Sequence, residues 1–184
     1  MGCRLSVLVA SVDCRRAEVV QSLFAQSTED TEILVLTDNR RRTIGQKRND
    51  LLALAQGDYV CFVDDDDAVA EDYVAALTAG IRTGADAITF DVSVSLNGSQ
   101  PFPQVFSKDF PKRRNLHDVW ERWPNHLCPV RTDLARKVGF PAWRVGEDAD
   151  YAERLRPLLK TEHHIDRTLY HYNYSDAVTL TQRG

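Results

Sequence analysis

Four consecutive carboxylates, Asp64-Asp65-Asp66-Asp67, close an apolar run that extends from Tyr59 to Val63. The run is rich in aromatic and β-branched residues, and Gly57-Asp58 separates it from the segment before. It reads as a short strand buried on both faces, as in a parallel sheet. Adjacent carboxylates repel one another, so such a cluster must be solvated, paired with cations or bound to a metal ion. At the carboxyl end of a central strand it lies where open α/β sheets bind their ligands. Oxygen-only donors suit Mg2+ or Mn2+ rather than zinc. The plainer alternative is a solvated acidic turn that opens the next helix, since carboxylates are favoured at helix N-termini and Glu71 and Asp72 follow.

A second acidic centre, Glu147-Asp148-Asp150, opens a helix after Gly146. There a carboxylate can point into a cleft, or the group can serve only as helix-start caps. Cations lie between the two centres. Arg40-Arg41-Arg42 read as a solvated basic loop, and Lys47 and Arg48 fall in the first turn of a helix over about Gly45 to Gln56. That is the wrong end of the helix for positive charge. A phosphate bound at the N-terminus and met by Lys47 and Arg48 resolves the conflict. Metal, general base and phosphate-binding cations together suit a phosphate-bearing donor.

The elements needed to position these groups alternate. Leu5 to Ser11 reads as a strand, Ala17 to Gln26 as a helix with Val19, Val20, Leu23 and Phe24 on its apolar stripe, and Glu32 to Leu36 as a second strand. Leu51, Leu52 and Leu54 turn inward from the next helix. After the acidic tip come a helix over Glu71 to Ile81, with core positions Tyr73, Val74, Leu77 and Ile81, and a strand over Ala87 to Val94 before the Asn97-Gly98 turn. The order predicts an α/β fold with a mainly parallel central sheet flanked by helices. The second half is less regular. The pattern gives a short helix over Leu116 to Trp123 capped by Asn115, a strand over Asn125 to Val130, a helix over Thr132 to Val138 closed by Gly139, and a final strand over Thr168 to Tyr174. Pro157 weakens the last turn of the helix that begins after Gly146. Lys112 to Arg114 form a second local basic patch.

The 184 residues suffice for one domain with a sizeable core. A net charge of -4 provides no overall basic field of the kind that marks a dedicated nucleic-acid binder. No apolar run approaches the length of a membrane span, and no signal peptide is evident. Cys3, Cys14, Cys61 and Cys128 are scattered without a CxxC pair, as expected of free thiols in a reducing cytoplasm.

The combination resembles a small soluble form of the GT-A-fold, family 2 inverting glycosyltransferases. The residues that carry the resemblance are the first strand ending near Ser11, Asp38 after the second strand, Lys47-Arg48-Asn49, Phe62 to Asp67, and Gly146 to Tyr151, in the family's order and spacing. The resemblance implies one GT-A-like domain over 1–184, with a nucleotide-sugar half at 1–95 and an acceptor half with the catalytic helix at 96–184. It implies that Ser11 and Asp38 line the base pocket of a nucleotide sugar, commonly a UDP-sugar. Lys47 and Arg48 approach the nucleotide, and Asp64 meets the ribose with Asp65 in the same donor-binding set. Asp66 holds Mn2+ or Mg2+, His171 is an additional metal ligand, and Asp148 is the general base. The turn after the first strand, Ala10-Ser11-Val12-Asp13, departs from the family's usual Pro-Thr-Tyr-Asn-like form. The Gln-x-x-Arg-Trp motif of processive synthases is absent, which points to transfer of a single sugar. Rival readings are a metal-dependent nucleotidyltransferase, which would release pyrophosphate, and a non-catalytic nucleotide-sugar-binding module. A phosphatase with an aspartyl nucleophile fits less well, because Ala68 and Val69 follow Asp67. The acceptor stays open among saccharides, lipid-linked sugars, proteins and modified DNA bases.

Overall fold

The computed structural model describes residues 4–12 and 18–176. Cys3, Cys14, Asp13 and the end of the polar tail lie outside the described residues. The elements follow in the order β1 (Leu5–Ser11), α1 (Glu18–Gln26), β2 (Thr31–Thr37), α2 (Ile44–Leu54), β3 (Tyr59–Asp64), β4 (Ala68–Val69), α3 (Tyr73–Ile81), β5 (Ala87–Leu96) and β6 (Phe102–Phe106). Then come β7 (Arg114–Asn115), β8 (Trp120–Arg122), β9 (Val130–Arg131), α4 (Thr132–Val138), α5 (Glu147–Leu155), a 3-10 turn at Arg156–Leu158 that accommodates Pro157, and β10 (Glu162–Tyr174). Among the described residues, no helix is long and apolar enough to cross a membrane.

The sheet runs β2-β1-β3-β9-β5-β6-β8-β7, with β10 paired to β5 and to the short β4. β1 pairs in parallel with both β2 and β3, and β10 runs parallel to β5, so the sheet is mixed and mostly parallel at its centre. β1 is buried at every position, and its side chains divide by strand alternation. Val7 and Val9 join Cys61 and Val63 in one core beneath α1 and α3, with Leu23, Tyr73, Val74 and Leu77. Leu8 and Ala10 join Val60 and Phe62 in the other core beneath α2, α4 and α5, with Leu51, Leu52, Ala135, Tyr151 and Leu155. Burial on both faces explains why the first and third strands read as continuous apolar runs. Cys61 and Cys128 are buried free thiols, and burial pushes Cys61 up to about 12.

Several sequence expectations are corrected. Phe24 and Leu54 are 54% and 63% exposed, at the margins of their helices' apolar stripes. Leu116 to Trp123 do not form a helix. Arg114 and Asn115 pair antiparallel with Glu121 and Trp120, and β8 in turn pairs with β6. The open edge of β6 supplies backbone partners that an isolated eight-residue segment lacks, and this outweighs local helix propensity. Asn125 to Pro129 form no strand, although Leu127 and Cys128 are buried; only Val130–Arg131 pair, bridging β3 and β5. Asn97 and Gly98 both have positive φ, and the Ser99 N–H donates to the Leu96 carbonyl at 2.9 Å, so the two residues form a tight turn at the end of β5, before a longer connection to β6.

One close approach fixes α2 against the loop before α5. A Cβ placed on Gly45 would lie 1.8 Å from the carbonyl oxygen of Pro141. No rotamer relieves a clash with backbone. Gly45→Ala should therefore lower stability by about 2–3 kcal/mol, or roughly 5–10 °C in Tm for a domain of this size. A thermal melt within a degree of the parent would show that this packing is not retained in solution.

Candidate active site

The carboxyl ends of β1 and β3, the start of α2, the start of α5 and the β8 region surround one cavity of about 530 Å³. That is within the usual range for ligand pockets. Asp64, Asp65, Asp66 and Asp148 all line it, together with Lys47 and Arg48. The two acidic centres thus face a common space although more than eighty positions separate them in sequence.

Each aspartate of the acidic tip has its own surroundings. Asp64 accepts from Arg48 Nη2 at 2.8 Å and lies 3.3 Å from His126 Nε2. Burial alone would raise its proton affinity, but the Arg48 and His126 contacts outweigh burial and hold the carboxyl well below the usual carboxylate range. Asp65 accepts from Ser11 Oγ at 2.7 Å and from the Val12 backbone N–H at 3.3 Å. Asp67 is turned away into the structure. Tyr170 Oη donates to it at 2.8 Å and the Asn173 N–H at 2.9 Å, while Tyr170 Oη also receives the Asp64 backbone N–H. Burial and the neighbouring Asp64 charge push the Asp67 carboxyl above its ordinary range. One of the four carboxylates is therefore a structural clasp to β10, and Asp66 is left at the cavity wall.

The cations at the start of α2 do not wait for an anion. The helix is closed by a capping box in which Gln46 N–H donates to Thr43 Oγ1 and Thr43 N–H donates to Gln46 Oε1. Lys47, nearly fully buried, donates to the Ser11 carbonyl at 2.8 Å and pairs with Asp38 at 3.4 Å. Arg48 bridges Asp64 and Glu147, at 2.8 Å to each, with its guanidinium over the rings of Phe62 and Phe140. Internal carboxylates thus meet these cations at the dipole's positive end without a bound phosphate. Both side chains still form part of the cavity wall.

Ser11 and Asp38 do not line the cavity themselves; they hold Asp65 and Lys47, which do. Asp38 is itself fully engaged, with Oδ1 in the ion pair with Lys47 and Oδ2 accepting from the Arg42 backbone N–H at 2.7 Å. Gly146, at φ 82°, turns the chain into α5 so that Glu147 and Asp148 diverge. Glu147 is buried against Arg48, and burial lifts its carboxyl above the ordinary value despite that partner. Asp148 stays on the cavity wall.

His171 pairs across from Ala68, directly after the acidic tip. In β10 it alternates with Tyr170, which clasps Asp67, and Tyr172, which lines the cavity, so its side chain leaves by the opposite face and is exposed. Among the described residues, the three metal-type ligands found within 4.8 Å of one another are Asp91, His164 and Asp166, and none of these lines the cavity. His126 and Tyr170 were missed by sequence reasoning. His126 lies in the irregular stretch after β8, where nothing local marks it; Tyr170 was legible by alternation.

The sequence profile described as glycosyl transferase family 2 matches residues 13–132. The fold is that of the GT-A glycosyltransferases. S. aureus TarS 1-349 in complex with UDP-GlcNAc superposes with a TM-score of 0.70 at 17% identity, over 94% of this chain and 59% of that one. The same fragment in complex with UDP gives a TM-score of 0.71 at 19% identity, over 94% and 61%. The chain spans about three fifths of the length of these structures. No curated protein sequence matches it. The profile covers well over half of the chain, from after β1 to the start of α4, with the acidic tip inside it. The chain therefore belongs to glycosyl transferase family 2.

Proposed function

We propose that this chain moves a single sugar from a nucleoside-diphosphate sugar, a UDP-sugar, to an acceptor hydroxyl with inversion at the anomeric carbon. The observation that carries the reading is the single cavity that has Asp66 on one wall and Asp148 on another. Residues 1–95 supply the donor side and 96–184 the acceptor side. Asp148 takes the proton of the attacking hydroxyl as its oxygen bonds to the anomeric carbon, and the bond from that carbon to the diphosphate oxygen breaks. Arg48 and His126 keep Asp64 ionised and fixed beside the donor. Asp38 and Ser11 support the donor side indirectly, by holding Lys47 and Asp65 at the cavity wall.

The donor set fits a hard divalent cation: Asp66 with Asp64 offers oxygen alone, in the manner of Mg2+ or Mn2+. No third carboxylate or imidazole converges there among the described residues. Such ions are commonly held by one or two carboxylates plus substrate phosphates. When bound, the cation would neutralise the departing diphosphate. It should therefore bind with the nucleotide rather than before it.

Calorimetry should show UDP binding that strengthens at least tenfold with Mn2+, and Asp66→Ala should abolish that increment. UDP affinity that is equal with and without Mn2+ would remove the metal from the proposal. TarS has been crystallised with UDP-GlcNAc and with UDP, so UDP-GlcNAc is the first donor to test. Release of UDP, not of pyrophosphate, separates transfer of sugar from transfer of nucleotide.

A further inference from the structure

The wall beyond Asp148 differs from the donor side. Arg113, Trp120, Arg122, Trp123 and Arg144 line it, and Asp148 is the carboxylate they adjoin in the cavity. The Arg122 guanidinium stacks 4.7 Å from the centre of the Trp120 ring, and Arg113 lies 5.8 Å from that of Trp123. Each ring is itself anchored. Trp120 packs edge-on to Phe102 at 5.1 Å, and Trp123 Nε1 donates to the Phe110 carbonyl at 2.8 Å.

Arg122 is held in place by neutral oxygens only. It donates to the carbonyls of Arg114 and Glu121 at 3.0 Å each and to Asn115 Oδ1 at 2.6 Å. Among the described residues, Arg113, Arg122 and Arg144 form no ion pair, whereas the neighbouring Arg114 is paired with Glu121. Burial and the nearby Arg113 charge push Arg122 below its ordinary proton affinity, with partial relief from Asp148. Arg122 is thus held half-buried beside the exposed Arg113, with Asp148 offsetting only part of its charge. This is the reverse of the arrangement at Lys47 and Arg48, where every charge has a partner within the fold. A planar guanidinium with unmatched charge fits a phosphate, which accepts from several donors at once.

We infer that this arginine-tryptophan wall is an acceptor subsite for a saccharide or polyol that carries a phosphate beside the hydroxyl to be glycosylated. The inference rests on the proposed sugar transfer, because it takes Asp148 as the boundary between donor and acceptor. Trp123 has the Arg156 guanidinium over it at 4.7 Å as well as Arg113, so Trp120 is the ring that offers apolar surface for a sugar or polyol backbone, and Arg113 and Arg122 take the phosphate.

Tryptophan fluorescence provides a readout independent of turnover. The protein, saturated with UDP and Mn2+ so that the donor side is filled, is titrated with glucose 6-phosphate, glycerol 3-phosphate, glucose and glucuronate. The two phosphate esters should quench at concentrations at least about tenfold lower than glucose or glucuronate, and Arg113→Gln and Arg122→Gln should each remove about tenfold of that preference. Arg113→Gln breaks no hairpin hydrogen bond, so it decides the matter if Arg122→Gln fails to fold. Equal response to glucose or glucuronate overturns the inference. So does phosphate binding that vanishes once UDP is bound, since the arginines then belong to the donor. Tighter binding of an oligothymidylate than of either ester would overturn the saccharide assignment. UDP binding measured beforehand keeps the two claims apart. Its absence counts against the donor reading, and the same titration on the free protein then decides the wall.

Discussion

Asp148→Asn should lower kcat by about 100- to 10,000-fold while UDP binds with unchanged affinity. The size follows from removing the group that accepts a proton in the transition state, and a thousandfold loss corresponds to about 4 kcal/mol of barrier. The selectivity follows from the geometry. Asp148 is the second residue of α5, and its neighbour Glu147 is committed to Arg48 at 2.8 Å. The substitution therefore removes a charge from the cavity wall and leaves the buried network intact. Initial rates of UDP release in the presence of acceptor, with calorimetry of UDP as control, measure both quantities. Turnover at the parent rate would eliminate Asp148 as the base, and a parallel loss of UDP affinity would show that it acts on the donor side. Glu147→Gln is the contrasting variant. It should act through the Arg48 clasp, so its larger effect should be on thermal stability.

The parts of this structure that were legible from sequence are those in which local pattern and tertiary environment agree. β1 and β3 are apolar runs because helices cover both faces, and their ends fall at Ser11 and Asp64 where the polar residues begin. The capping box at Thr43 and Gln46 is equally local, since Thr and Gln stand three positions apart directly before Lys47. The hairpin from Arg114 to Arg122 was misread because its strand character comes from the edge of β6, which sequence does not display. The acidic tip was placed correctly, but the division of labour within it was not visible. Ser11 is 54 positions from Asp65, Tyr170 is 103 from Asp67 and Glu147 is 99 from Arg48. Four adjacent aspartates look equivalent until those partners are known. His171 shows the converse case. A period of two sets its side chain on the face opposite to Tyr170 and Tyr172, although its backbone pairs beside the acidic tip.

Arg48→Met should cost about 3–5 kcal/mol of stability, a fall on the order of 10 °C in Tm. Arg48 is 3% exposed and stands between two carboxylates, of which Glu147 is buried and Asp64 is 27% exposed at its side chain. Methionine fills much of the space above Phe62 and Phe140 but leaves both negative charges in a site of low polarity. His126 remains at 3.3 Å from Asp64, so the heavier loss falls on Glu147. The double variant Arg48→Met with Glu147→Leu should then recover part of the lost stability, because it removes the carboxylate stranded by the first change. Thermal denaturation of the parent, the single and the double variant followed by circular dichroism tests both statements. A single variant as stable as the parent would mean that Arg48 is not the buried link between the acidic tip and α5. A double variant no better than the single would place the cost on Asp64 instead, at the end of β3 where the donor site begins.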